Sequence, residues 1–298
     1  MPMIDPAAPQ PGKPPLWRKV WEFPLVAMIV SLALVIAAIF GSGWLFSDLP
    51  KRMDKVSAIA IQGTAATLLV VLVMKYLISR LGRHKQDDFP LAPAMMDWTR
   101  GLVIGSGLMA LAVGIAALLG VYRITGWGTG RDLVLVLFSA GLVAGFVEES
   151  LFRGVLFRWI EEMLGSWGAL AITSFLFGFA HFFNDNATVF SSVAIALEAG
   201  IMLGACYMLT RSLWLAVGLH MGWNVTQGYV FAVPVSGHPV QGMVRAELSG
   251  HPLLSGGAFG LEASVIGLGV ATAAGLWLLR RAIAAGQLRP PMWARPKG

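Results

Sequence analysis

The stretch GLVAGFVEESLFRG, residues 141–154, decides how this chain is read. Its flanks are apolar enough for lipid, yet Glu148, Glu149 and Arg153 stand in the middle of it. An ionisable side chain at mid-bilayer costs on the order of 2.5–3.5 kcal/mol on insertion scales. Three such groups facing lipid separately would not be tolerated. Helical geometry removes part of the cost, because Glu149 and Arg153 stand at i, i+4 and pair on one face. Glu148 is rotated by about 100° from that face and has no partner in its own helix. A structural device would end with the pair, so the extra carboxylate calls for partners on other helices.

The rest of the chain is equally apolar. Of its 298 residues, 56% are hydrophobic and only 13% charged, and mean hydropathy is +0.70. Soluble domains carry about 25% charged residues, so this is an integral membrane protein of the all-α class. The net charge of +6 is scattered at segment ends, where it fits topology and lipid headgroups rather than nucleic acid. The single cysteine, Cys206, has no internal disulfide partner.

A span needs about 20 mostly apolar residues. Eight segments qualify, at about 24–46, 56–79, 99–121, 132–158, 167–184, 187–209, 212–232 and 260–284. They form one transmembrane domain, residues 23–284, with a core at about 130–230. A proline-rich, disordered or interfacial tail (1–22) precedes it and a second tail (285–298) follows. The Gly-, Pro- and Ser-rich link 233–259 reads as a surface loop. Lys and Arg in the short loops divide fourteen against six, which puts both termini in the cytoplasm. Trp17, Trp21, Trp44, Trp127 and Trp293 stand at predicted span edges, as an aromatic belt would. Gly101/Gly105, Gly141/Gly145, Gly200/Gly204 and Gly218/Gly222 have the GxxxG spacing that lets helices approach closely in lipid.

Partners for Glu148 are at hand. FLFGFAHFF sets Phe177 and His181 one turn apart, and GLHMGWNVTQG sets His220 and Asn224 at i, i+4 with Gln227 near the same face. In soluble helices a lone histidine is ordinarily a hydrogen-bonded packing residue, but inside a bilayer polar residues line cavities or sites. At 1.5 Å per residue, Glu148 and His181 lie about 24–26 Å from a turn near Gly165, whereas His220 lies about 13 Å from the turn at Arg211. The depths agree if the fourth helix projects from the membrane by two to three turns, becoming polar at Arg158, Glu161 and Glu162. Glu198 is a further intramembrane carboxylate that either approaches the site or pairs with a neighbouring helix. Asn184, Asp185 and Asn186 read as a tight, wet turn, although Asp185, one turn after His181, is also placed to orient its ring. His238 and His251 read as solvated loop residues.

Glu148-Glu149-xxx-Arg153, Phe177-xxx-His181 and His220-xxx-Asn224 together resemble the three motifs of the CPBP intramembrane proteases. That family includes type II CAAX prenyl endopeptidases and bacterial Abi proteins. The resemblance covers about residues 130–230, with each motif on its own helix and in order. It implies an eight-helix membrane protease fold. Glu148 would activate water, with His181 helping to hold it. His220 and Asn224 would form the oxyanion hole, and Glu149 with Arg153 would brace the site. Amide hydrolysis needs a base poised near the working pH and donors aimed at the developing negative charge, and these residue types supply both.

No cofactor is required for that chemistry. Zinc is the alternative, since Glu148, His181 and His220 make a legitimate His₂Glu shell; no HExxH is present. The expected partners are the bilayer, as of a cell (inner) membrane, and a membrane-associated protein or peptide cut by hydrolysis. A transporter using the same polar residues would show inverted repeats and discontinuous helices, which the sequence lacks. A bacteriocin-immunity or scaffold protein retaining the motifs would tolerate Glu148→Ala, whereas a protease would not.

Overall fold

A computed structural model describes residues 15–295; of the two predicted tails, 1–14 and 296–298 lie outside the described residues. Among the described residues eight long helical segments pack into one bundle. They are α1 (Pro24–Leu45), α2 (Lys55–Tyr76), α3 (Ala94–Leu118), α4 (residues 133–164), α5 (residues 166–181), α6 (Val189–Thr210), α7 (residues 214–230) and α8 (Val265–Ala284). Six stretches are long and apolar enough to cross a membrane: α1, α2, α3, α6, α8 and Leu133–His181. Gly165, at φ 76° and ψ 173°, divides that last stretch into α4 and α5. The shorter α7 is the buried centre of the bundle, with every residue from Leu215 to Asn224 buried.

Local chemistry sets the helix starts. Asp54 accepts the Ser57 N–H at 2.9 Å at the start of α2. Thr188 and Ser191 form a reciprocal capping box on α6, and Ser264 accepts the Gly267 N–H at 3.0 Å on α8. Each satisfies donors that an unpaired helix end would leave orphaned. The GxxxG glycines hold the bundle tight. Gly101 and Gly105 of α3 lie on the α7 backbone from Leu215 to Trp223, Gly218 and Gly222 of α7 lie on the α3 backbone at Trp98 and Leu102, and a Cβ on Gly101 would stand 2.6 Å from the Leu219 nitrogen. Gly141 and Gly145 of α4 receive Val225 and Met221 of α7, while Gly200 and Gly204 of α6 receive Ser174 and Leu170 of α5.

Two features depart from ideal α geometry. First, α4 is wound as π-helix over Val136–Glu148 and again over Ser150–Phe157, as are Ala196–Gly200 in α6 and Thr226–Val230 in α7. Wider winding re-aims side chains, and π segments concentrate at functional sites. Second, β1 (Tyr122–Trp127) pairs antiparallel with β2 (Val244–Leu248), a small sheet within an otherwise all-α protein.

The link 233–259 is more than a surface loop. Val233, Val235 and Phe259 are buried, and Gly237 N–H donates to Phe259 O at 2.8 Å. The chain folds back because its apolar residues find a place against α7, and its strand is satisfied by β1.

The far end of α4 also differs from expectation. Arg158, Glu161 and Glu162 are buried, not projecting into water. Arg158 pairs with Asp88 at 3.0 Å, and Tyr207 donates to the same carboxylate at 2.7 Å. Glu161 takes Arg211 at 2.5 Å and Ser166 at 2.6 Å, and Glu162 takes Arg295 at 3.1 Å. Residues 285–295, expected as a tail, form a strap over the Gly165 bend. Ser166 N–H donates to Arg289 O at 3.0 Å, and Arg289 N–H donates back to Ser166 Oγ at 2.8 Å. Buried charges must be paired, so the strap is ordered by the ion pairs that α4 requires.

Candidate active site

Four helices meet around Phe177. The Arg153 guanidinium lies 4.5 Å over its ring, and the imidazoles of His181 and His220 have centroids 4.7 and 6.1 Å from the ring centre. The three polar motifs therefore converge at one depth, as their spacing requires.

Glu149 and Arg153 pair at 3.0 Å with both side chains fully buried. Arg153 spends its second nitrogen on Ala199 O at 3.1 Å and Gly200 O at 3.3 Å, carbonyls in the π stretch of α6. The same Glu149 Oε1 stands 3.0 Å from His220 Nδ1. Arg153 also donates to this oxygen, which acts as the acceptor, so His220 Nδ1–H donates to it and Nε2 is turned the other way. Glu149 is thus a positioning residue as well as the brace expected of it. His181 is fixed in a similar way. Its Nδ1 is 2.7 Å from the Phe177 carbonyl, which can only accept, so the proton is on Nδ1 and Nε2 of the neutral ring is an acceptor. Asp185 faces solvent beside His238, at 4.0 Å, in the wet turn read from the sequence, and does not orient this ring; a carbonyl one turn back in α5 does.

The two histidines line a partly open cavity of about 40 Å³ with Phe177, Asn224, Glu198, Ser236 and Glu262. That is room for about three or four waters at about 10–15 Å³ each. Asn224 gives one amide proton to Ala140 O at 2.8 Å, leaving a second for the cavity. Gln227 is fully buried behind this wall, donating to Pro234 O at 2.6 Å. Glu148 lies outside the lining. It is half-buried, its Oε2 is enclosed without a partner, and it acts electrostatically on both His220 and Arg153. Among the described residues no group of three His, Cys, Asp or Glu side chains is disposed to hold a metal ion. The Glu148–His181–His220 zinc set therefore does not fit as arranged.

Residues 130–226 match the family described as type II CAAX prenyl endopeptidase Rce1-like. This is the CPBP family. No curated protein and no solved structure matches the chain. The CPBP segment contains Glu148, Glu149, Arg153, Phe177, His181, Glu198, His220 and Asn224, so all three motifs and most of the cavity wall lie inside it. It stops one residue before Gln227 and well before Ser236 and Glu262.

Sequence reasoning missed those last two. Glu262 stands at the polar entrance of an apolar segment, where an acidic residue ordinarily complements a helix N-terminus. Nothing in its spacing announces that the 233–264 segment folds back over the site. Ser236 enters through its backbone, with φ 50° and its N–H donating to Glu262 Oε1 at 2.5 Å.

Proposed function

We propose that the chain is an intramembrane endopeptidase that hydrolyses a peptide bond in a membrane-associated protein or peptide. The observation that carries this reading is the pair of pre-set imidazoles, His181 and His220, both inside the CPBP-matched segment and facing one small cavity. Glu149 is neutralised by Arg153 and bonded to His220, so it is not free to take a proton. Glu148, with no hydrogen-bond partner on Oε2, is the available base.

In this mechanism Glu148 takes a proton from a water held by His181 Nε2, and the hydroxide attacks the scissile carbonyl. His220, protonated and held by Glu149, turns its Nε2–H towards the oxyanion, and Asn224 adds its second amide proton. Donors set in place before the reaction cost no reorganisation, and each is worth about 10²–10³-fold in rate. No step is routed through zinc. The protein is an integral membrane protein, and its Lys and Arg distribution supports cytoplasmic termini in a cell (inner) membrane.

The test is terminal proteomics of cells carrying wild type or Glu148→Ala at equal expression. The reading requires new C-terminal fragments in the wild type alone. Identical fragment sets, with a phenotype that Glu148→Ala preserves, would favour a scaffold or immunity role instead.

A further inference from the structure

Two carboxyl groups in the cavity wall have no role in the mechanism above. Glu198 is 2% exposed and Glu262 4% exposed; both line the cavity that His181 and His220 share. Oε2 of each is enclosed with no hydrogen-bond partner. They come from separate parts of the chain, Glu198 from the π stretch of α6 and Glu262 from the turn Leu261–Ala263 before α8. A buried ion needs a counter-ion or hydrogen bonds. Arg153, the guanidinium of this cluster, is already committed to Glu149 and to two carbonyls. Glu262 has one donor, the Ser236 N–H; Glu198 has none among the described residues. Two like charges on one enclosed wall without a counter-ion cannot both persist, so at least one carboxyl keeps its proton. Glu198, lacking any donor that would favour its anion, is the first to do so.

We propose that Glu198 is a carboxylic acid on the cavity wall and that it delivers its proton to the leaving amine. The donor role rests on the protease reading; the protonated carboxyl does not. The step balances. Glu148 removes a proton from water, and hydroxide adds to the carbonyl carbon. As the C–N bond breaks its electron pair stays on nitrogen, which receives the Glu198 proton, giving a free amine and a new carboxyl terminus. Glu148 then gives up its proton and Glu198 regains one by exchange with water, and both groups are reset.

Infrared difference spectra of the full chain in lipid nanodiscs at neutral pH test the first part. Wild type minus Glu198→Gln is expected to show the carbonyl stretch of one protonated carboxyl, and the same band is expected in a Glu148→Ala background. Glu198→Asp, which keeps an acid, retains it. A difference containing only carboxylate stretches, or a band that sodium chloride converts to carboxylate, overturns the proposal, the latter in favour of a cation site.

For the second part, an internally quenched peptide amide is compared with its ester, whose leaving group needs no protonation. Glu198→Gln should lose about 100-fold or more on the amide and under about tenfold on the ester. Equal losses overturn the donor role. Failure of wild type to cleave either probe sinks the protease reading and the donor role with it, while the infrared result still decides whether Glu198 holds a proton.

Discussion

Replacing Arg153 by alanine removes the guanidinium buried in the candidate site. The side chain is wholly enclosed, with Glu149 at 3.0 Å, the carbonyls of Ala199 and Gly200 at 3.1 and 3.3 Å, and the Phe177 ring at 4.5 Å. Alanine leaves Glu149 as an unpaired buried carboxylate facing His220, and it strands two carbonyls. Breaking a buried pair by removing one partner costs about 3–5 kcal/mol. At about 1.4 kcal/mol per factor of ten, the folded-to-unfolded ratio falls by roughly 10²–10³·⁵. Arg153→Lys keeps the charge but loses the fork that reaches Glu149 and α6 together, so an intermediate loss is expected. Replacing both partners, Glu149→Leu with Arg153→Met, removes the stranded charge and should return stability to within about 1–2 kcal/mol of wild type. Activity should not return, because His220 has lost the acceptor that orients it. Equilibrium unfolding in mixed micelles measures the stabilities. Arg153→Ala within about 0.5 kcal/mol of wild type, or a double variant no more stable than Arg153→Ala, would refute the view that Glu149 is charged and paired.

Glu149→Gln keeps the shape but not the charge that holds His220, and should lower cleavage by about 10²-fold or more while a fluorescence melt shows the bundle folded. Gly105→Val drives a branched side chain into the Leu219 carbonyl across the α3–α7 contact; overpacking there should cost about 1–3 kcal/mol or more, read as lost thermal stability, while Gly107→Val, with no neighbour within 4 Å, should not. Burial pushes the Glu262 carboxyl up from 4.5 to about 8. A carboxyl raised on folding binds more protons in the native state, so stability should fall as pH rises from about 4.5 to about 8 and level off above that. Glu262→Gln should flatten this slope in a pH series of melting temperatures, and an unchanged slope would remove Glu262 from the account.

Much of this arrangement was legible in the sequence because intramembrane polarity is so costly. Glu148, Glu149, Arg153, His181, His220 and Asn224 stand out against apolar neighbours, and their one-turn spacings put partners on shared faces. The four GxxxG pairs were legible for the same reason, since only small residues permit backbones to touch. What stayed hidden has physical causes. Spacing arguments assumed α-helical winding, and the π stretches through Val136–Glu148 and Ser150–Phe157 change which face each carboxylate takes. This leaves Glu149, not Glu148, in contact with His220. Glu161 and Glu162 read as the polar part of a helix leaving the membrane, but their partners Arg211 and Arg295 lie 50 and 133 residues away, beyond any local pattern. Glu262 was overlooked because a backbone fold-back, not a periodicity, brings it to the cavity.

The most direct measurement of peptide hydrolysis at this cavity uses purified wild type and Glu148→Ala, each reconstituted with the same membrane extract in ¹⁸O-labelled water. Fragments whose new C-terminal carboxyl carries ¹⁸O should appear with the wild type and be absent with Glu148→Ala. Labelled fragments in equal amounts from both proteins, or from neither, would contradict the assignment of Glu148 as the base that activates water here.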